Sequence, residues 1–440
     1  MTLPHRNAPC FHASTPSPTA TPLPTKTARW RQRARGIATL LLGMALAGCV
    51  QVTVHGDPHA QTHRPEPMSD SPTLRVATYN ASLYTDAAGG LVRQLEAGDG
   101  HARKIAAVLQ RVRPDIVLLN EFDYDPAGRA ATLFQQDYLD VAQPSGGAAL
   151  HYPYRYLAPV NTGVQSGLDL DRNGQAGGAG RDRGNDAWGY GLHPGQYGML
   201  VLSRYPIDAA QVRTFQQLKW NAMPGARAPR DPQTGAAWYP PAIWSQLRLS
   251  SKSHWDVPID TPLGTVHLLA AHPTPPVFDG AENRNGLRNA DEIRLWAEYV
   301  SPGSKPWLCD DRGRCGGLAG DARFVIVGDY NADPDDGDGE PGAIAQLLDN
   351  PRVNAGFVPR SRGAVERATG RGIPRAGDVA THTGDFGPKG GTLRLDYVLP
   401  SKDLDVSDGG VFWPAHDEPG SDIAEASDHH LVWLDLTPRR

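Results

Sequence analysis

The sequence predicts a mixed α/β domain: eight short apolar, β-branched runs recur between Leu74 and Leu436, and two stretches between them carry helical spacing. The strand-like runs are Leu74 to Asn80, Asp115 to Asn120, Met199 to Ser203, Ile243 to Leu249, Thr265 to His272, Phe324 to Asp329, Leu393 to Leu399 and Leu431 to Leu436. Ile105, Val108, Leu109 and Val112 share one helical face, and Pro114 stops that helix. Ile293, Trp296, Ala297 and Val300 share another, with Asn289 as the expected N-cap and Glu292 three residues on. Long connections at 161–196, 216–241, 301–321 and 351–392 hold many of the 48 glycines and 39 prolines; loops of that length in a compact domain are insertions or functional.

The strand-like runs continue without a break from 73 to 437, so one large domain is expected there although the chain has 440 residues. Six of the 43 basic residues lie among the first 48, where there is no acid; the remaining 37 face 48 acidic residues, a balance of −11. Such a body repels phosphate backbones at long range, which argues against sequence-independent grip on nucleic acid through basic patches. It is compatible with an acidic cleft that holds cations.

Residues 1–48 read as an export signal. Arg29, Arg31, Arg33 and Arg35 precede the apolar run Ile37 to Ala47, which is too short for a permanent membrane span. The run ends in Leu46-Ala47-Gly48-Cys49, which resembles the lipobox of bacterial lipoproteins and would make Cys49 an acylated mature N-terminus. An ordinary signal peptide with a chance cysteine is the alternative. Val50 after the cysteine resembles lipoproteins sorted to an outer membrane, facing the periplasm or the cell surface. Residues 49–72, with little apolar content, are expected to be a flexible tether without fixed structure. The body keeps only Cys309 and Cys315, which an oxidising compartment would let close a small loop; free thiols are the other reading.

Polar residues at the ends of the apolar runs carry the candidate chemistry. Asn80 closes the first run, Asn120 and Glu121 the second, and His272 the fifth; Asp329 and Asn331 follow the sixth, Asp396 lies in the seventh, and Asp428 and His429 open the last. Any one of them alone reads as a turn former or cap. Together they are hard-oxygen and imidazole groups of the kind metal-assisted phosphoester chemistry needs.

In order and wording, Thr78-Tyr79-Asn80, Leu118-Leu119-Asn120-Glu121, His272, Gly328-Asp329-Tyr330-Asn331-Ala332, Leu395-Asp396-Tyr397-Val398 and Ser427-Asp428-His429 resemble the successive motifs of the endonuclease/exonuclease/phosphatase superfamily. The resemblance implies a four-layered α/β/β/α sandwich of two packed mixed sheets with outer helices, and one active site at one end of the sheets. It implies Asn80, Glu121 and Asp428 as ligands of Mg²⁺ or Mn²⁺, and Asn331 as a stabiliser of developing charge. Asp329 and His429 would activate water, Asp396 would orient the imidazole, and His272 would assist the leaving oxygen. The expected substrate is a phosphoester of a nucleic acid, a small molecule or a lipid head group, met by a lipid-anchored monomer.

Two departures narrow this. The additional tyrosine of members that cut abasic DNA has no clear counterpart, and the basic, aromatic-rich surface of lipid-cleaving members is not visible. Asp169-Leu170-Asp171-Arg172-Asn173-Gly174 copies half of a calcium loop, but Gly180 stands where the bidentate glutamate belongs; an accessory Ca²⁺ site and a solvated turn are both open. Asp333, Asp335, Asp336 and Asp338 likewise hold a cation or face water. The rival readings are a phospholipase C-like head-group hydrolase and a silent binding lipoprotein on the same scaffold.

Overall fold

The structure, a computed structural model, describes residues 55–56 and 72–439. The expected signal, Cys49 and most of the expected tether lie outside the described residues. Within the tether His55–Gly56 is an exception to the expectation of no fixed structure, because it pairs antiparallel with Tyr154 and Arg155.

In chain order the strands are β1 His55–Gly56, β2 Leu74–Leu83, β3 Ile116–Phe122, β4 Tyr154–Tyr156, β5 Met199–Ser203, β6 Arg213–Thr214 and β7 His254–Thr261. They continue with β8 Gly264–Ala271, β9 Arg323–Asp329, β10 Gly384–Asp385, β11 Thr392–Leu393, β12 Asp396–Pro400, β13 Leu404–Val411 and β14 Val432–Pro438. One sheet has the order β1-β4-β5-β3-β2-β14-β13, the other β12-β9-β8-β7-β6, and β10 and β11 form a separate ribbon. Each large sheet is mixed: β2 runs parallel to β3, and β8 to β9, while the other neighbours are antiparallel.

The period-2 alternation of the strands sorts their side chains into layers. Leu74, Val76, Ile116, Leu118 and Val201 face Trp255, Val257, Leu268, Val325 and Val327 in a core between the sheets. Ala77, Tyr79, Val117 and Leu119 turn outward to the Gly100–Val112 helix. Leu269, Phe324, Ile326 and Leu399 turn the other way to the Arg284–Val300 helix. The result is the four-layered α/β/β/α sandwich. Central strands covered on both faces explain why the apolar runs are so continuous. Among the described residues no helix is long and apolar enough to cross a membrane.

Several local expectations are corrected. Ile243 to Leu249 is not a strand, because Pro240 and Pro241 start a short helix at Pro241–Trp244. The strand lies just beyond it, in β7, where Pro258 and the buried Asp256 hid the pattern. Asn289 is no cap: the helix begins at Arg284, and Asn289 is buried within it, donating to the carbonyls of Thr274 and Tyr330 at 2.8 and 2.9 Å. Leu393 to Leu399 is split, since Leu393 ends the small ribbon while Asp396 enters β12. Asp99 caps the Gly100–Val112 helix by accepting from the Ala102 N–H at 2.8 Å, and Arg113 ends it in the left-handed region. Cys309 and Cys315 are joined by a disulfide.

Trp255 of β7 is fully buried and meets Tyr156 of β4 edge-on at 5.1 Å, one indole spanning the gap between the sheets. Trp255→Ala is expected to cost about 3–5 kcal/mol in urea unfolding. A loss below about 1 kcal/mol would contradict the packing of the two sheets through this ring.

Candidate active site

Asp329 ends β9, where hydrogen bonds link the two sheets. Its neighbour Gly328 sits at φ 148°, and a Cβ there would lie 2.0 Å from the carbonyl oxygen of Ala271 on β8, so the Gly-Asp step is required by the backbone. Across the inter-sheet gap, Asn120 of β3 accepts the Asp329 N–H at 3.2 Å and donates to the Ala271 carbonyl at 3.3 Å. From β2, Asn80 donates to Asp329 Oδ2 at 3.1 Å. The same oxygen lies 3.4 Å from His272 Nε2 and 3.5 Å from His429 Nε2. One carboxylate oxygen therefore gathers groups from β2, from the end of β8 and from the segment entering β14.

His429 is held on its other side. Its Nδ1 lies 2.8 Å from Asp396 Oδ2, and because a carboxylate only accepts, the proton sits on Nδ1. The same Asp396 oxygen accepts from Thr383 Oγ1 at 2.7 Å, and Thr383 Oγ1 in turn accepts the N–H groups of Leu395 and Asp396. Phe386 packs edge-on against the imidazole at 5.3 Å. Asp329, Asp396 and His429 lie close enough together to surround an ion, with ligand atoms within 4.8 Å of one another. Both nitrogens of His429 already face carboxylates, however, so this trio is arranged for holding and moving a proton.

Glu121 near the end of β3 and Ser82 near the end of β2 sit in left-handed backbone, at φ 58° and 47°, as does Asn331 just past β9 at φ 50°. Such conformations cost energy in residues with a Cβ and cluster where a side chain must be aimed. Asn331 donates to the Pro273 carbonyl at 3.2 Å, while its own N–H binds Asp329 Oδ1 at 2.9 Å. Ser427 anchors the last motif by donating to the Asn80 carbonyl at 2.8 Å. Asp428 stands exposed at the rim, its Oδ1 3.3 Å from Ser427 Oγ and 3.4 Å from Ser82 Oγ. The Tyr84 phenol has its pKa raised by burial and then by the charges of Glu121 and Asp428.

Burial pushes the Glu121 carboxyl up to about 7, with the nearby His429, Lys252 and Asn80 pulling against it. Burial likewise lifts Asp329 to about 6, opposed by His429 and reinforced by Asp396. Burial works against an imidazolium at His429, but Asp396 and Asp329 prevail and hold it well above the usual histidine range. His272 goes the opposite way: burial, then the charges of Lys252 and His429, keep it neutral. The Nδ1 of His272 and the Oδ1 of Asp396 are buried with no hydrogen-bond partner among the described residues. Those unpartnered buried atoms, beside acids shifted by burial, mark a site open to a ligand.

The structure brings Asn80, His272, Asp329, Asp396 and His429 together through contacts, with Asn331 and Glu121 beside them and Asp428 at the rim. Asn120 and Thr383 were not assigned roles by sequence; Asn120 was visible only as the neighbour of Glu121, and Thr383 lies in an aperiodic loop without a signal. Elsewhere, Asp169 and Asp171 converge with Asp186, a residue outside the expected loop; Asp186 is buried and accepts the N–H groups of Leu170 and Gly177, both at 2.6 Å. Asp333 and Asp336 accept backbone N–H groups of Arg394, Ala376 and Gly377 and build turns.

Residues 77–429 match the endonuclease/exonuclease/phosphatase family. An endonuclease/exonuclease/phosphatase from Beutenbergia cavernae is similar in structure at 20% identity and TM-score 0.45, over 83% of this chain and 72% of that one. Sphingomyelinase C from Streptomyces griseocarneus is similar at 16% identity and TM-score 0.41, over 83% and 99%. A beta toxin variant from Staphylococcus aureus with bound magnesium ions is similar at 13% identity and TM-score 0.38, over 84% and 100%. No curated protein sequence matches the chain.

Asp396→Asn removes the charge beside Nδ1, so the His429 imidazole should titrate about one to three pH units lower by NMR in metal-free protein. An unchanged titration would show that Asp396 does not set its charge.

Proposed function

The chain belongs to the endonuclease/exonuclease/phosphatase family, and on that footing we propose that it hydrolyses phosphoester bonds outside the cytoplasm, with Mg²⁺ or Mn²⁺ as cofactor. The observation that carries this reading is the meeting of Asn80, His272 and His429 on one oxygen of Asp329. One protonated and one neutral imidazole on one carboxylate give a proton acceptor and proton donors within reach of a single reacting phosphorus.

Asn80, Glu121 and Asp428 would hold the cation. The donor set fits: all three offer hard oxygens, and a Glu121 carboxyl raised to about 7 needs a positive charge beside it. When bound, the ion would neutralise a phosphate oxygen and lower the barrier to attack on phosphorus. Asp329 is the group able to take a proton from water, while His429, kept charged by Asp396, holds the attacking or phosphoryl oxygen. Neutral His272 has a single N–H to offer, to the phosphate or to the leaving oxygen, and Asn331 presents its amide to developing charge.

The substrate class is a nucleic acid, small phosphate ester or lipid head group. A lipid head group is the second reading, favoured by Phe278, which is 74% exposed at φ 67° on the loop that follows His272. Export and acylation at Cys49 would place the domain, as a monomer, on the outer membrane beside such substrates.

His429→Ala should lower turnover of bis-p-nitrophenyl phosphate by about 10²–10⁴-fold in protein that still folds by circular dichroism; a fully active variant would overturn the assignment. The raised Glu121 pKa also sets a pH dependence. The metal-free native state holds this proton more tightly than the unfolded chain does, so its stability falls as pH rises from the usual carboxylate range through about 7. Above that pH the free carboxylate binds the cation, and below it a proton competes. Stabilisation by Mg²⁺ in thermal melts should be largest near pH 8 and fade as pH falls below about 7. Equal stabilisation at pH 8 and pH 5 would contradict Glu121 as a ligand.

A further inference from the structure

We propose that Lys252, which no motif of the chain singles out, binds the phosphoryl group of the substrate. Lys252 lies in the turn Ser250 to Ser253, which enters β7, and only 6% of it is exposed. His254 pairs with Ala271 across β7 and β8, so this turn runs beside the segment that continues past His272.

Glu292 fastens the turn to that segment. Buried in the outer helix, it accepts the Ser251 N–H at 2.6 Å with one oxygen and the Thr274 N–H at 2.7 Å with the other. The Lys252 carbonyl accepts the Asn161 N–H at 2.8 Å. The backbone at Lys252 is thus fixed from two sides, and Glu292 spends both of its oxygens on the clamp.

Among the described residues no hydrogen bond or ion pair ties the ammonium, and it is not one of the fully enclosed polar atoms, so it reaches solvent. It faces the site all the same. Glu292, Glu121 and Asp329 act on it as favourable charges, and its own charge is felt by Glu121 and His272. An ammonium that no protein group ties, on a backbone fixed from two sides, is free to meet an anion. The place of its turn beside the segment that follows β8 points to an anion arriving from solution, and a phosphate oxygen is the hard, charged acceptor that suits a lysine point charge. In this place Lys252 would meet the non-bridging oxygens as charge builds on them, from the side that His272 occupies.

This rests on the phosphoester reading, but its test does not require turnover. Inorganic phosphate titrated calorimetrically into the full chain, with and without Mg²⁺, should bind to the wild type. Lys252→Met should weaken that binding at least about tenfold, and Lys252→Arg should restore most of it, while both variants keep the wild-type melting temperature and Mg²⁺ affinity. With bis-p-nitrophenyl phosphate, Lys252→Met should lower kcat/KM by about 10²–10³-fold. Should Lys252→Met fail to fold, Lys252→Gln carries the same comparison. Phosphate binding equal to wild type in the uncharged variant, no phosphate binding by the wild type, or a loss that tracks melting temperature in both variants would each overturn the inference. An active wild type with an unaffected Lys252→Met sinks Lys252 alone; a wild type that binds phosphate through Lys252 yet cleaves no ester sinks the hydrolase reading alone.

Discussion

The fastening of Asp329 between the two sheets is the constraint on which the site depends. Asn120 takes its N–H, Asn80 reaches its side chain, and Gly328 allows β9 to approach β8 closely enough for both contacts. These bonds are buried, where a lost partner leaves a polar group unsatisfied and costs about 1–3 kcal/mol. They also tie an inter-sheet core, built by hydrophobic burial alone, to a particular register at one end. Apolar packing brings the sheets together; the asparagines decide where the carboxylate points.

The site carries a charge imbalance that the fold does not resolve by itself. Glu121, Asp329, Asp396 and Asp428 stand against His429 and Lys252, and burial drives two of the acids up to about 7 and about 6. A scaffold serving only as structure would gain by replacing such acids with apolar groups of similar volume. The left-handed backbone at Ser82, Glu121 and Asn331 adds to this cost and aims side chains into the same region. Strain and unbalanced charge in one place fit a site whose lowest energy is reached with a cation and a phosphate present.

Much of this was legible in the sequence because strands buried on both faces make continuous apolar runs, and a polar residue at the end of such a run stands out. Asn80, Glu121, His272 and Asp329 were found that way. Asp396 and His429 needed the motif order as well. What stayed hidden had a physical reason in each case. β7 carries Pro258 and Asp256, which read as turn residues, yet Asp256 is buried and accepts from His267 and Tyr299. Asn289 and Glu292 look like a capping pair, but tertiary contacts claimed both side chains. Thr383 and Lys252 lie in aperiodic loops, and only the folded chain brings them to Asp396 and His272. The third acid near Asp169 and Asp171 comes from Asp186, beyond the span of the expected calcium loop.

The most direct measurement is the anomalous scattering of crystals soaked in Mn²⁺ at pH 8. A peak bounded by Asn80, Glu121 and Asp428 is the predicted result. No peak there, with manganese only beside Asp169, Asp171 and Asp186 or nowhere, would contradict the account.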